Sequence, residues 1–186
     1  EIGLLGKAFN DMVLDNERLR ISEYDLRLKN KDAELALMQA QINPHFLYNM
    51  LNAIQWQALK SGNKEIADIA YSMAQVFRIS LSRGRSIISV KQELDLVSYY
   101  LSLQKYRLGK KIDYHIDFDE DVLDRQIPKL ILQPLVENSI VHGMAKDSSL
   151  NLVISLSVAL SEDGKSLHFM IQDNGCGIPP EILRYL

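Results

Sequence analysis

Gln41-Ile42-Asn43-Pro44-His45-Phe46-Leu47-Tyr48-Asn49-Met50-Leu51-Asn52 is the stretch on which the reading of this chain turns. Leu47, Met50, Leu51, Ile54 and Ala58 recur at helical spacing and form a core-facing stripe. At about 100° per residue, His45, Asn49, Asn52 and Trp56 share another stripe turned away from Leu47. His45 is thereby placed where solvent or another domain can reach it. Pro44 lacks an amide hydrogen, so it either kinks a longer helix or opens a new one with Asn43 as its cap. Imidazole is an able nucleophile near neutral pH, because much of it is uncharged and keeps a free lone pair. By spacing alone, a surface histidine beside a proline kink is the plainer reading. Trp56 reads as core or dimer-interface packing.

Upstream, Leu5, Phe9, Met12 and Leu19 keep three-to-four spacing, which Leu26, Ala33 and Leu37 continue. Ile21, Tyr24, Leu28, Leu35, Met38 and Ile42 run in a second phase. Two heptad registers predict a coiled-coil helix with a phase shift over 16–42. The alternative is a long charged helix that frays in isolation. Downstream, Ser61-Gly62-Asn63 reads as a turn, after which Ile66, Ile69, Ala70, Met73, Val76, Phe77 and Leu81 trace one helical face. Residues 43–83 are thus a helical hairpin. A hairpin buries half a core, so pairing with a second copy into a four-helix bundle is expected.

Ser82 to Ser89 reads as a polar connector and a domain boundary. Ser89 and Gln92 have capping-box spacing, and Val90, Leu94, Val97 and Leu101 carry a helix to about Tyr106, ended by Gly109. Ile112 to Phe118 alternates as a strand, followed by an acidic loop. Pro128 to His142 reads as another helix, with Pro134 tolerated only in its first turn. Leu150 to Ala159 and Ser166 to Asp173 alternate as a hairpin about Glu162-Asp163-Gly164-Lys165. The second half, 89–186, is therefore a mixed layer, and the chain as a whole is α+β. His115 and His168 read as ordinary strand histidines, and Lys110-Lys111 as a solvated pair.

Two segments of this half could hold a ligand. In Leu132-Gln133-Pro134-Leu135-Val136-Glu137-Asn138-Ser139-Ile140-Val141-His142-Gly143, Asn138 and His142 project from one face. An amide oxygen suits Mg²⁺. A polar helix end accounts equally for His142 and Gly143. In Asp173-Asn174-Gly175-Cys176-Gly177, alternation puts Asp173 on the face of Leu167, Phe169 and Ile171, expected to be buried. A carboxylate turned inward needs donors, of which an adenine amine is one. The two glycines permit tight turns and close approach to a ligand. Alone, this pattern also describes an ordinary strand–turn junction.

Composition bounds the function. The 186 residues are 47% hydrophobic and 24% charged, ordinary for a globular chain. A net charge of −3 sets up no positive field for nucleic acid. The single cysteine, Cys176, makes no internal disulfide and suits a reducing compartment. No apolar run approaches the roughly 18–20 residues of a spanning helix. No His/Cys cluster has metal-ligand spacing, which disfavours a metalloenzyme. The start without methionine suggests a fragment.

Asn43-Pro44-His45-Phe46-Leu47-Tyr48-Asn49 with Leu51-Asn52 closely resembles the phosphoacceptor box of LytS/YesM-type sensor histidine kinases. The resemblance makes His45 the acceptor of the γ-phosphoryl group of ATP. Other kinase families carry an acid after the histidine, whereas Phe46 stands here, which fits this subfamily and leaves the proton acceptor unassigned. The segments around Asn138 and Asp173 together resemble the N box and first glycine box of the GHKL ATPase fold. That likeness implies an α/β sandwich in which Asn138 binds Mg²⁺ and Asp173 reads adenine. It makes Gly175 and Gly177 the hinge of an ATP lid, and sets His142 beside the nucleotide. It gives Glu137 a part in polarising a metal-bound water or accepting the proton of His45. Tyr99, Leu103, Gln104, Lys105, Arg107 and Gly109 resemble the helix this subfamily places before its ATP domain. Residues 1–15, through Glu1-Ile2-Gly3-Leu4-Leu5 and Phe9-Asn10-Asp11-Met12, resemble the end of a HAMP signalling domain.

The expectation is a homodimeric kinase that phosphorylates His45 and passes the group to an aspartate of a response regulator. Its coil would switch the docking of the ATP domain, and the chain would be the cytoplasmic part of a bacterial membrane receptor. Because the sequence stops at Leu186, the ATP domain is expected to be truncated and the fragment inactive. The rivals are a phosphatase-biased sensor of the same fold and a non-enzymatic dimerisation scaffold.

Overall fold

A computed structural model describes residues 20, 23, 27, 44–81, 86–144 and 151–177. Residues 1–43 and 44–186 are separate compact units. In the first, Arg20, Glu23 and Arg27 are helical, with an exposed Glu23–Arg27 ion pair at 2.7 Å. The HAMP-like segment and the rest of the expected coil lie outside the described residues.

The second unit opens on a helical hairpin. Helix α1 (Pro44–Lys60) starts on its proline, where the missing amide hydrogen costs nothing. It ends at Ser61-Gly62-Asn63, with Gly62 in the left-handed region at φ 75°. Helix α2 (Lys64–Ser80) is capped by Asn63, whose Oδ1 accepts from the Ile66 amide at 3.1 Å. The hairpin closes on small residues, with Ala58 of α1 and Ala67, Ala70 and Ala74 of α2 buried. The Tyr48 hydroxyl donates to the Phe77 carbonyl at 3.3 Å.

Little else of the hairpin is inside. On the expected α1 stripe, Leu47 and Leu51 are half-buried, while Met50 and Ile54 are exposed. Ile66 and Met73 of the α2 face are exposed too, and Trp56 is 74% exposed rather than packed in a core. A fully buried aliphatic side chain contributes about 1.5–3 kcal/mol. With Ala58 as its one buried residue, α1 gains little of this within a single chain.

Helix α3 (Val90–Leu108) begins with the expected capping box. Ser89 Oγ accepts from the Gln92 amide at 3.2 Å, and Gln92 Oε1 from the Ser89 amide at 3.1 Å. It ends at Gly109, at φ 62°, whose amide donates to the Lys105 carbonyl. Two faces of α3 are buried. Val90, Leu94, Val97 and Leu101 enter the main core, and Leu96 meets Ile79 of α2 and Ile88. The segment expected as a connector is therefore partly structured. Ile87–Ser89 is a short strand, β1, paired antiparallel with β3 (Gln126–Pro128), and Ile88 faces Ile127. A three-residue strand whose partner is so distant in sequence shows no periodicity to read.

The main sheet has the order β2–β4–β5. Strand β2 (Ile112–Phe118) runs parallel to β4 (Leu152–Leu160), which pairs antiparallel with β5 (Leu167–Asp173). Leu152, Ile154, Leu156 and Val158 are buried on one face of β4. Helices α3 and α4 (Gln133–Gly143) share their core, α4 through Val136 and Ile140. The other face is mainly polar, with Asp113, His115, Ser155, His168 and Gln172 exposed beside Met170. The α+β class is as expected. The helix expected from Pro128 begins only at Gln133, because Gln126–Pro128 pairs with β1 and Lys129–Leu132 is a loop, while Pro134 falls in the first turn.

Candidate phosphoacceptor and nucleotide site

His45 is the second residue of α1 and is exposed, as are Asn49, Asn52 and Trp56. Its ring nitrogen Nδ1 lies 3.3 Å from Asn49 Nδ2, one helical turn on. That contact engages one ring nitrogen along the helix. None of the nucleotide-side candidates is hydrogen-bonded to His45 among the described residues. Asn43, the expected cap, lies outside them.

On α4, burial of Val136, Ile140 and Gly143 turns Glu137, Asn138 and His142 outward, and all three are exposed. Glu137 is close enough to Tyr100 of α3 to help raise its phenol pKa, an effect second to burial and opposed by Arg107. The C-terminus of α4 meets the turn after β5 backbone to backbone. A Cβ on Gly175 would lie 2.5 Å from Gly143 Cα, so no side chain fits at that crossing. The Cys176 thiol donates to the His142 carbonyl at 3.1 Å. Asn174 ties the same turn to β4, accepting from the Val153 amide at 2.7 Å and donating to the Asn151 carbonyl at 3.0 Å. Gly177 takes a left-handed φ of 69°. The fold thus joins Asp173, Gly175 and Gly177 to the helix that carries Asn138 and His142.

Asp173 corrects the expectation of a buried carboxylate. It does share a face with Leu167, Phe169 and Ile171, but it is exposed, since that face runs out at the strand end. Its Oδ1 accepts from the Gly175 amide at 3.0 Å, leaving Oδ2 without a partner among the described residues. A carboxylate with one oxygen fixed and one open suits an amine donor. The exposed amide of Asn138 suits a hard cation. The residues present therefore fit a Mg²⁺-nucleotide by their donor chemistry.

A residue that sequence reasoning passed over is Glu93. It is fully buried on α3, and its carboxylate accepts from the Leu130 amide at 3.0 Å and the Leu132 amide at 2.9 Å. Those amides belong to the loop that enters α4. A signal was present, for Glu93 falls inside the stripe of Val90, Leu94 and Val97, where an acid demands donors.

The histidine kinase family model matches residues 33–112, and that of the histidine kinase-, DNA gyrase B- and HSP90-like ATPases matches residues 123–186. Sensor histidine kinase YesM of Bacillus subtilis is 31% identical over 183 residues, 98% of this chain and 31% of that protein. Sensor protein LytS of Staphylococcus epidermidis is 36% identical over 154 residues, 82% of this chain and 25% of that protein. Sensor protein kinase HptS of Staphylococcus aureus is 31% identical over 186 residues, all of this chain and 35% of that protein. The chain spans about a third or less of the length of these curated relatives. It belongs to the sensor histidine kinases of the LytS/YesM type, carrying a histidine kinase region followed by a GHKL-type ATPase region.

Proposed function

We propose that the full-length protein is a two-component sensor kinase that phosphorylates itself on His45 and passes the group to a response-regulator aspartate. The observation that carries this reading is the exposed His45 at the start of a hairpin packed on an ATPase-type α/β layer. Magnesium-bound ATP, when present, supplies the phosphoryl group. A ring nitrogen of His45 forms the new P–N bond as the bond to the β–γ bridging oxygen breaks. Asn138 would hold the metal through its amide oxygen. Asp173 accepts from the adenine amine through the oxygen that Gly175 leaves open. Glu137 or solvent takes the imidazole proton. His142 borders the nucleotide, and Gly175 and Gly177 hinge its cover. Positioning His45 in line supplies most of the rate, because such transfer depends on geometry and charge stabilisation.

The exposed Met50, Ile54, Ile66 and Met73 support a homodimer in which two hairpins form a four-helix bundle. The chain is then the cytoplasmic part of a membrane receptor. Among the described residues no helix is long and apolar enough to cross a membrane. The test is incubation of that protein with Mg²⁺ and γ-labelled ATP, beside His45→Gln and Asn138→Ala. Label on the wild type and on neither variant is expected. A folded, nucleotide-binding wild type that takes no label would overturn the kinase.

A further inference from the structure

The loop Lys129–Leu132 is held from three sides. Leu130 has a left-handed φ of 64°, a conformation that a branched side chain adopts only when its surroundings impose it. Glu93 of α3 imposes it from below through its two bonds to the Leu130 and Leu132 amides. Lys129 anchors the other side. Its ammonium donates to the Ser80 carbonyl at 2.8 Å, in the last turn of α2, and its amide donates to the Ser86 carbonyl at 2.9 Å. A cation at a helix C-terminus is favourably placed for its carbonyls and dipole. Beyond Leu132 the chain enters α4, which carries Glu137 and Asn138. A carboxylate fully out of water, spent on two loop amides, is a costly way to hold an ordinary turn, and strain of this kind gathers where geometry matters to function.

We propose that Glu93 is a positioning residue of the nucleotide site, latching the loop that sets α4, and that Lys129 couples this latch to the end of the phosphoacceptor hairpin. The proposal rests on the kinase reading for what the site binds. Glu93 fixes where Asn138 stands relative to α3. Lys129 makes that placement sensitive to the last turn of α2, so a displacement of the hairpin reaches the metal-binding helix through two side chains and a strained residue.

The test uses the full-length protein, a fluorescent ATP analogue with Mg²⁺, and backbone hydrogen exchange without nucleotide. In Glu93→Gln one amide loses its acceptor, and the analogue should bind about tenfold more weakly. Exchange at Leu130 and Leu132 should quicken in the same variant. Lys129→Met should bind the analogue as the wild type does, yet autophosphorylate roughly fivefold more slowly at saturating ATP. Lys129→Arg, which keeps a donor, should restore the rate. Unchanged affinity and exchange in Glu93→Gln, or a wild-type rate in Lys129→Met, would overturn the latch. If Glu93→Gln does not fold, the Lys129 pair decides. A wild type that binds the analogue but leaves His45 unlabelled defeats the kinase reading instead, while the affinity and exchange arms still read the latch.

Discussion

Single residues in this chain do work that their neighbours cannot take over. Asp173 shows this at the proposed nucleotide site, since among the described residues only one of its oxygens is committed, to the Gly175 amide. Asp173→Asn should weaken binding of the ATP analogue about tenfold or more, because an amide nitrogen would then face the adenine amine, with the unfolding midpoint little changed. Gly175 is fixed by space, its would-be Cβ colliding with the Gly143 backbone. Gly175→Ala should cost about 1–3 kcal/mol in denaturant unfolding, as other overpacked sites do. Between α2 and α3, the rings of Tyr71 and Tyr99 meet edge to face at 5.8 Å. The Tyr99 phenol is pushed up to about 12, first by its hydrogen bond with Tyr71 and then by burial. A raised phenol pKa stabilises the fold fully below the unfolded value of about 10, and that contribution is lost as pH climbs through the folded value. The unfolding midpoint of Tyr99→Phe should therefore start lower and fall less steeply than that of the wild type in this alkaline range. Spacing alone left His45 and Asp173 with ordinary readings, and the resemblance to the family's motifs is what singled them out. Asp173 was placed on the right face but not at the right depth, since alternation reports a face and says nothing of where cover ends.

Elements follow from local signals wherever those signals are local. Strand β2 spans the residues expected of it, because alternation over seven positions needs no knowledge of a partner. The start of α3 was equally legible in Ser89 and Gln92, whose reciprocal bonds are made. Ser89→Ala should lower stability by about 1 kcal/mol by thermal unfolding, the usual cost of a lost N-cap. The region before α4 was not legible. The apolar run from Pro128 looks continuous, but Pro128 lies in a strand, and Glu93, distant in sequence, takes the amides of Leu130 and Leu132. Long-range partners of this kind override propensity and leave no periodic trace.

At the scale of the whole molecule, the described parts of the second unit are unequally furnished. The layer of α3, α4 and the sheet has a full core, whereas the hairpin leaves Met50, Ile54, Ile66 and Met73 exposed. A second hairpin is the natural cover. The paired substitutions Ile54→Glu and Met73→Glu should shift the full-length protein from dimer to monomer in sedimentation analysis, with the α/β layer still folded. The central claim is that His45 receives the phosphoryl group. The most direct measurement is to locate that group by fragmentation mass spectrometry and ³¹P NMR after incubation with Mg²⁺ and ATP. The account predicts a phosphoramidate on His45, stable in base and lost in acid. A phosphoryl group found on any other residue, with His45 unmodified, would contradict it.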